Sequence, residues 1–405
     1  MMETPIANRL HIGIFGKRNV GKSSFINAIT GQKISIVSDV PGTTTDPVGK
    51  TMEISGIGPV YLYDTAGLDD MGELGRMRTE RTKDIIAKIN LAVVVTTVDS
   101  FGDFDLGLLR DLQARKVPVV LVFNKADLIP MNDSARETAE RLDAAFLSVS
   151  SLTGENIEQA RKLIAKTGSV LEVERDTIVG DIISHGDTVL LVAPIDLGAP
   201  KGRLILPQVQ VIRDILDNDA VAVIVKEREI EYALRNMTTK PSLVICDSQV
   251  VLKVSGDIPP DMKFTTFSIL FSRQKGELAT FVKGVKEIDR LQEGDKVLIM
   301  EACTHHALPD DIGRVKIPRW IRSYTGKNII FETNAGPYRD KDLSQYRLII
   351  HCGACMINRK EMMHRIDDAQ ESGVAITNYG IAISHVHGVL RRALSPFAYE
   401  SSLLE

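Results

Sequence analysis

Three cysteines and two histidines carry the most distinctive chemistry in this chain: Cys303-x-His305 and, further along, His351-Cys352-x-x-Cys355. A C-x-x-C pair offers two thiolates to one metal, or forms a redox disulfide. A redox pair would open a helix and would leave Cys303 and His305 without a role. Zinc would accept the three thiolates with either histidine, since all these residue types suit Zn²⁺. An iron–sulfur cluster is held by thiolates, usually four. With three, one iron of a four-iron cluster is left for a weaker or exchangeable ligand such as histidine, carboxylate, water or an incoming molecule. Residue types alone weigh zinc and iron–sulfur equally. The remaining cysteine, Cys246, ends a strand alone and reads as a small buried hydrophobe.

A second constellation lies near the N-terminus. Residues 16–23, GKRNVGKS, satisfy GxxxxGKS between an apolar strand (Ile12 to Phe15) and a helix. Glycines let the backbone N–H groups wrap phosphates, Lys22 reaches the β- and γ-phosphates, and the Ser23 hydroxyl ligates Mg²⁺. The strand "VYLYDTAG" delivers Asp64, suited to hold Mg²⁺ through water, and Gly67, whose N–H can meet a γ-phosphate. The strand "PVVLVFNKAD" delivers Asn124, Lys125 and Asp127. A carboxylate there accepts the N1–H and N2–H of guanine and repels the acceptor N1 of adenine, which selects GTP. Ser150 and Ser151 follow where such domains close over the base. The expected nucleotide contacts are therefore Gly16, Asn19, Val20, Gly21, Lys22, Ser23 and Ser24, then Asn124, Lys125, Asp127, Ser150 and Ser151.

Alternating strand and helix patterns must position both sets. The expected class is α/β: a P-loop GTPase domain (1–170), a central α/β domain (171–272) and a C-terminal, cysteine-bearing α/β domain (273–405), the last two smaller, parallel-sheeted and Rossmann-like. In the central part, "LPQVQVIRDILDN" reads as a helix with Val209, Ile212 and Leu216 on one face. That part has no catalytic cluster, so it reads as an assembly surface, with a homodimer expected. In the C-terminal part, Cys303, the Cys352/Cys355 pair and "TNYG" fall at strand ends, where parallel sheets gather ligands. His385 and His387, read as opening the helix "HVHGVLRRAL", would sit on the same rim in structural roles, and His306 reads as a loop residue.

Composition narrows the class of function. A net charge of −4 gives no global attraction to nucleic acid or anionic membrane, and four cysteines are too few for a secreted disulfide scaffold. No signal peptide and no membrane span are read, so a reduced cytoplasmic setting is expected, with neither nucleic acid nor membrane as a partner.

The GTPase motifs resemble the TrmE–Era branch of translation-factor-type GTPases. "PGTTTD" (41–46) is similar to that branch's switch I, with Thr44 as the implied Mg²⁺ cap, and Asn19 matches the position that helps hold K⁺ in potassium-activated members. Leu68 stands where Ras-type enzymes place a water-orienting glutamine, so hydrolysis is expected to be slow unless K⁺ or another group compensates. Glu73 does not match the acidic position cleanly, and the water-positioning role stays open.

Joined to the split C-x-H … H-C-x-x-C motif, the whole chain resembles the FeFe-hydrogenase maturation GTPase family, HydF. The resemblance implies a 4Fe-4S cluster on Cys303, Cys352 and Cys355, with His305 and His351 as the motif's histidines. Either histidine, Glu301 or solvent is a chemically reasonable fourth ligand. It also implies a scaffold that carries a di-iron (2Fe) precursor, supplied by two radical-SAM maturases and received by apo-hydrogenase. The competing expectation is an RNA- or ribosome-directed GTPase with a structural zinc site. The absence of a basic excess counts against it.

Overall fold

A computed structural model describes residues 5–31, 49–54, 56–65, 82, 84–142, 144–172, 177–194, 204–302, 311–336 and 341–405. Thr44, Gly67, Leu68, Glu73, Cys303, His305 and His306 lie outside the described residues. The chain divides into two compact units, residues 1–174 and 175–405.

In the first unit, six strands form one sheet: β1 (Leu10–Phe15), β2 (Gly49–Ile54), β3 (Gly58–Asp64), β4 (Leu91–Thr96), β5 (Val119–Phe123) and β6 (Ala145–Ser148). Their order is β2-β3-β1-β4-β5-β6, with β2 antiparallel to β3 and the other pairs parallel. Every residue of β1, β4 and β5 is buried, the signature of parallel strands covered on both faces. Phe25, Ile26 and Ile29 of the helix Lys22–Thr30 share one core with Ile157, Ala160 and Ile164. Leu108, Leu109 and Leu112 of the helix Asp103–Ala114 help build the core on the other face. β1 sits between β3 and β4, so the chain leaves its carboxyl end at the point where strand order reverses, where such sheets open a crevice.

The second unit holds two four-stranded parallel sheets. The first contains β7 (Thr188–Val192), β8 (Val221–Val225), β9 (Leu243–Cys246) and β10 (Phe264–Thr266), in the order β10-β9-β7-β8. The second contains β11 (Lys296–Glu301), β12 (Ile330–Ala335), β13 (Leu348–His351) and β14 (Ala375–Asn378), in the order β12-β11-β13-β14. The fold class expected from the sequence is the one observed. One hydrophobic cluster takes in residues of both sheets. The helices Phe267–Lys275 and Leu278–Val285 join them: Asn378 Nδ2 donates to the Ser268 carbonyl (3.0 Å), and Thr377 Oγ1 donates to the Phe281 carbonyl (2.9 Å).

Two local expectations are corrected, and one element, the three-residue buried strand β10, is too short to register as a sequence pattern. The helix Leu206–Asp217 buries Gln208, Val211 and Ile215, while Val209 and Leu216 are exposed, so its core stripe is rotated from the expected one. The last strand is followed at once by the helix Tyr379–Val386. Asn378 caps it by accepting from the Ile381 N–H, and Gly388, at φ 71°, follows its end. His385 therefore closes that helix instead of opening one.

Candidate functional site

The phosphate loop is held by backbone geometry that side chains would obstruct. Gly16 adopts φ 141°, and a Cβ there would fall 2.1 Å from the Val95 carbonyl oxygen. Gly21 adopts φ 92°, with a Cβ position 2.3 Å from Asn124 Nδ2. Asn19 is also left-handed (φ 64°), a conformation asparagine tolerates, so backbone demand alone accounts for its residue type. Lys22 is buried, and its Nζ donates to the carbonyls of Gly16 and Lys17, both at 2.7 Å. Val20 is buried, and Ser23 and Ser24 are exposed on the first turn of the helix. Asp64 closes β3, and beside it Thr65 Oγ1 donates to the Ile14 carbonyl (2.6 Å), tying that strand end to β1. Sequence reading did not single out Thr65.

The residues expected at the base converge on the same loop. Asn124 Nδ2 donates to the Val20 carbonyl (3.0 Å), and its Oδ1 accepts from the Ser151 N–H (3.1 Å) and hydroxyl (2.8 Å). Ser150 Oγ donates to Asp127 Oδ1 at 2.5 Å, leaving the exposed Asp127 oriented by one oxygen. Lys125 takes a left-handed backbone (φ 62°) between them. Asn124 thus bridges the phosphate loop and the Ser150–Ser151 turn, 27 residues further along the chain.

The second rim is built by register. β11 and β13 pair directly, with Met300 opposite His351. Cys352 N–H donates to the Met300 carbonyl (2.9 Å), and Ala302 N–H donates to Cys352 Sγ (3.2 Å). The chain that leads into Cys303 therefore runs beside the loop carrying Cys352 and Cys355. Ala354, between the two cysteines, is left-handed at φ 55°. Burial pushes the Cys352 thiol up. Cys246 is fully buried at the end of β9, and its thiol is also pushed well up by burial. Among the described residues, no group of three or more His, Cys, Asp or Glu is arranged to hold a metal ion.

Buried polar groups surround this loop. His351 is fully buried, and burial, helped by the neighbouring Arg365 guanidinium, lowers its pKa to about 3. Arg365 Nη1 is 3.1 Å from Nε2 and can only donate, so Nε2 accepts and Nδ1 carries the proton given to the Cys352 carbonyl (2.8 Å). Both ring nitrogens are thus engaged within the protein. Glu301 is 1% exposed; its Oε2 takes Arg314 at 2.7 Å, while Oε1 is buried with no partner among the described residues. Lys275, at the end of the helix Phe267–Lys275, is 4% exposed and donates to the carbonyls of Ile357 (2.8 Å) and Cys355 (3.4 Å). His385 is elsewhere: its Nε2 meets Asp289 Oδ1 (2.9 Å), which also accepts from Tyr324 (2.8 Å). Asp289 precedes β11 and Tyr324 precedes β12, so His385 lies toward the amino ends of those strands, not on the cysteine rim.

Comparison with known proteins follows this division. Residues 11–125 match the family model described as a 50S ribosome-binding GTPase. The tRNA modification GTPase MnmE of Endomicrobium trichonymphae is 30% identical over 175 residues, 42% of this chain and 38% of that protein. GTPase Der of Wolinella succinogenes is 33% identical over 169 residues, 39% of this chain and 36% of that protein. The chain thus spans little more than a third of the length of these curated relatives. The solved G domain of the T. maritima FeoB iron transporter aligns over 40% of this chain and 99% of its own, at 24% identity and a TM-score of 0.32. Residues 178–276 match the hydrogen maturase F dimerization domain, and residues 279–396 match the hydrogen maturase F tetramerization domain. Those two matches together take in more than half of the chain. With a TrmE/Era-type GTPase domain ahead of both, the chain belongs to the hydrogenase maturation GTPase family, HydF.

Proposed function

We propose that this protein is a GTP-hydrolysing scaffold that binds a four-iron, four-sulfur cluster and assembles or delivers the di-iron subcluster to apo FeFe hydrogenase. The observation that carries the cluster reading is the pairing of β11 with β13, which sets the strand leading to Cys303 beside the loop of Cys352 and Cys355. The surroundings fit a thiolate-held anionic group, because a buried ammonium, Lys275, reaches the carbonyls of that loop. Cys303, Cys352 and Cys355 would hold the cluster, which supplies an iron with an exchangeable position. His351 would have to give up a hydrogen bond to reach an iron, whereas Glu301 Oε1 has no hydrogen bond among the described residues to lose. His305 and solvent are the other candidates for that position.

In the first unit, Gly16 to Ser24 would cradle the phosphates, with Lys22 on the β- and γ-oxygens, and Ser23, Thr44 and Asp64 arranged around Mg²⁺. Gly67 would sense the γ-phosphate, Asn19 would hold K⁺, and Asp127, steadied by Ser150, would read guanine. Loss of the γ-phosphate would release the switch segments and so gate exchange with the partners, two radical-SAM maturases and the apo-hydrogenase, in a reducing cytoplasm. Residues 171–272 would form the dimerisation domain and 273–405 the cluster domain of a homodimer. Exposed Leu216, Val221 and Ile224 on and beside the edge strand β8 support an assembly surface there.

Anaerobic reconstitution with iron and sulfide, then metal analysis and EPR after reduction, tests the proposal. About four irons per chain and a reducible signal are expected, lost in Cys303→Ala, Cys352→Ala and Cys355→Ala while GTP hydrolysis persists. Stoichiometric zinc without a reducible signal would sink it. A GTPase rate equal in Na⁺ and K⁺ would remove the role given to Asn19.

A further inference from the structure

Lys275 is a buried cation with no anionic partner among the described residues. Two carbonyls accept from its Nζ, and no carboxylate pairs with it among the described residues. Two other cations near this rim meet carboxylates: Arg365 meets Glu361 (2.9 Å) and Arg314 meets Glu301 (2.7 Å). Taking an ammonium out of water is costly, and such groups are retained where a charge partner compensates them. Carbonyl dipoles supply only part of that compensation.

The loop that Lys275 grips contains both Cys352 and Cys355, and its carbonyl contacts fall on Cys355 itself and on Ile357. Resting on the cluster reading above, we infer that Lys275 is the counter-charge of the thiolate-held cluster, a positioning residue that raises its reduction potential and slows its loss. A four-iron core on three thiolates is net anionic and becomes more so when it takes up an electron. A fixed positive charge in a low-dielectric site favours the reduced state more than the oxidised one. It also ties the order of the cysteine loop to a helix from the first sheet of the unit.

The test compares the wild-type chain with Lys275→Met, Lys275→Gln and Lys275→Arg after anaerobic reconstitution. Midpoint potentials are read by EPR-monitored redox titration, and cluster retention by iron release to a chelator. Met and Gln are expected to bind a cluster of lower potential that is lost several-fold faster, and Arg to restore both properties. Gln keeps N–H donors without the charge, so it separates electrostatics from loop bracing. In the apo state Gln, which keeps donors for the two carbonyls and buries no lone charge, is expected to be no less stable than wild type. Equal potentials and release rates in all four proteins would overturn the inference, as would failure of Met and Gln to fold, which would make Lys275 a structural strut. A wild-type chain that takes up no cluster would instead defeat the underlying reading.

Discussion

At the residue scale, most of the site chemistry is held by single buried polar groups with defined partners. Asn124 connects the Val20 carbonyl to Ser151, so Asn124→Ala leaves buried partners unsatisfied, at about 1–3 kcal/mol. Weaker GTP binding by about tenfold or more is expected, read by titration with a fluorescent guanine nucleotide. Gly21→Ala must strain a left-handed backbone and displace the Asn124 amide, so nucleotide binding should be lost while iron uptake persists. His351 gives a pH prediction. Its folded pKa lies far below the ordinary value of 6.5, so between about 6.5 and 3 the unfolded chain binds the extra proton. The apo protein should therefore lose stability as pH falls through that window. His351→Gln should flatten the dependence in urea titrations at stepped pH.

At the element scale, strand register decides the cysteine rim. The pairing of Met300 with His351 brings Ala302 onto Cys352 Sγ. β13 is buried on both faces, so a one-residue slip would not expose apolar residues, but it would move His351 away from the Arg365 contact that satisfies its buried ring. Edge strands are the complementary case. Among the described residues β8 has no partner on its outer side, and Val221 and Ile224 are 51% and 45% exposed, an unusual choice for an edge left in water. The double change Val221→Lys with Ile224→Lys should lower the oligomeric state in light scattering after size exclusion without altering the circular dichroism spectrum. Unchanged mass would place the interface elsewhere.

At the scale of the whole molecule, two compact units each carry motif residues at strand carboxyl ends, the nucleotide motifs in the first and the cysteine motif in the second. The dimerization and tetramerization models matched by the second unit make it an assembling unit as well as a cysteine-bearing one. No helix among the described residues is long and apolar enough to cross a membrane.

Much of this was legible in the residues alone. GxxxxGKS, NKAD and the split cysteine motif are local patterns whose chemistry depends on residue type and spacing, and the buried strands around them are unbroken apolar runs. Other features depend on neighbours distant in the chain. Whether Val209 or Val211 faced the core turned on where the helix Leu206–Asp217 met its sheet, since both fit a helical period. Tertiary structure alone placed His385 beside Asp289, away from the cysteines, because the capped helix after β14 carries it toward the amino ends of the strands. It also brought Lys275 to the Cys355 carbonyl across 80 residues of sequence, a contact no local pattern encodes. Motif chemistry is written in consecutive residues; the burial and charge environment that tunes it arises only when the chain packs.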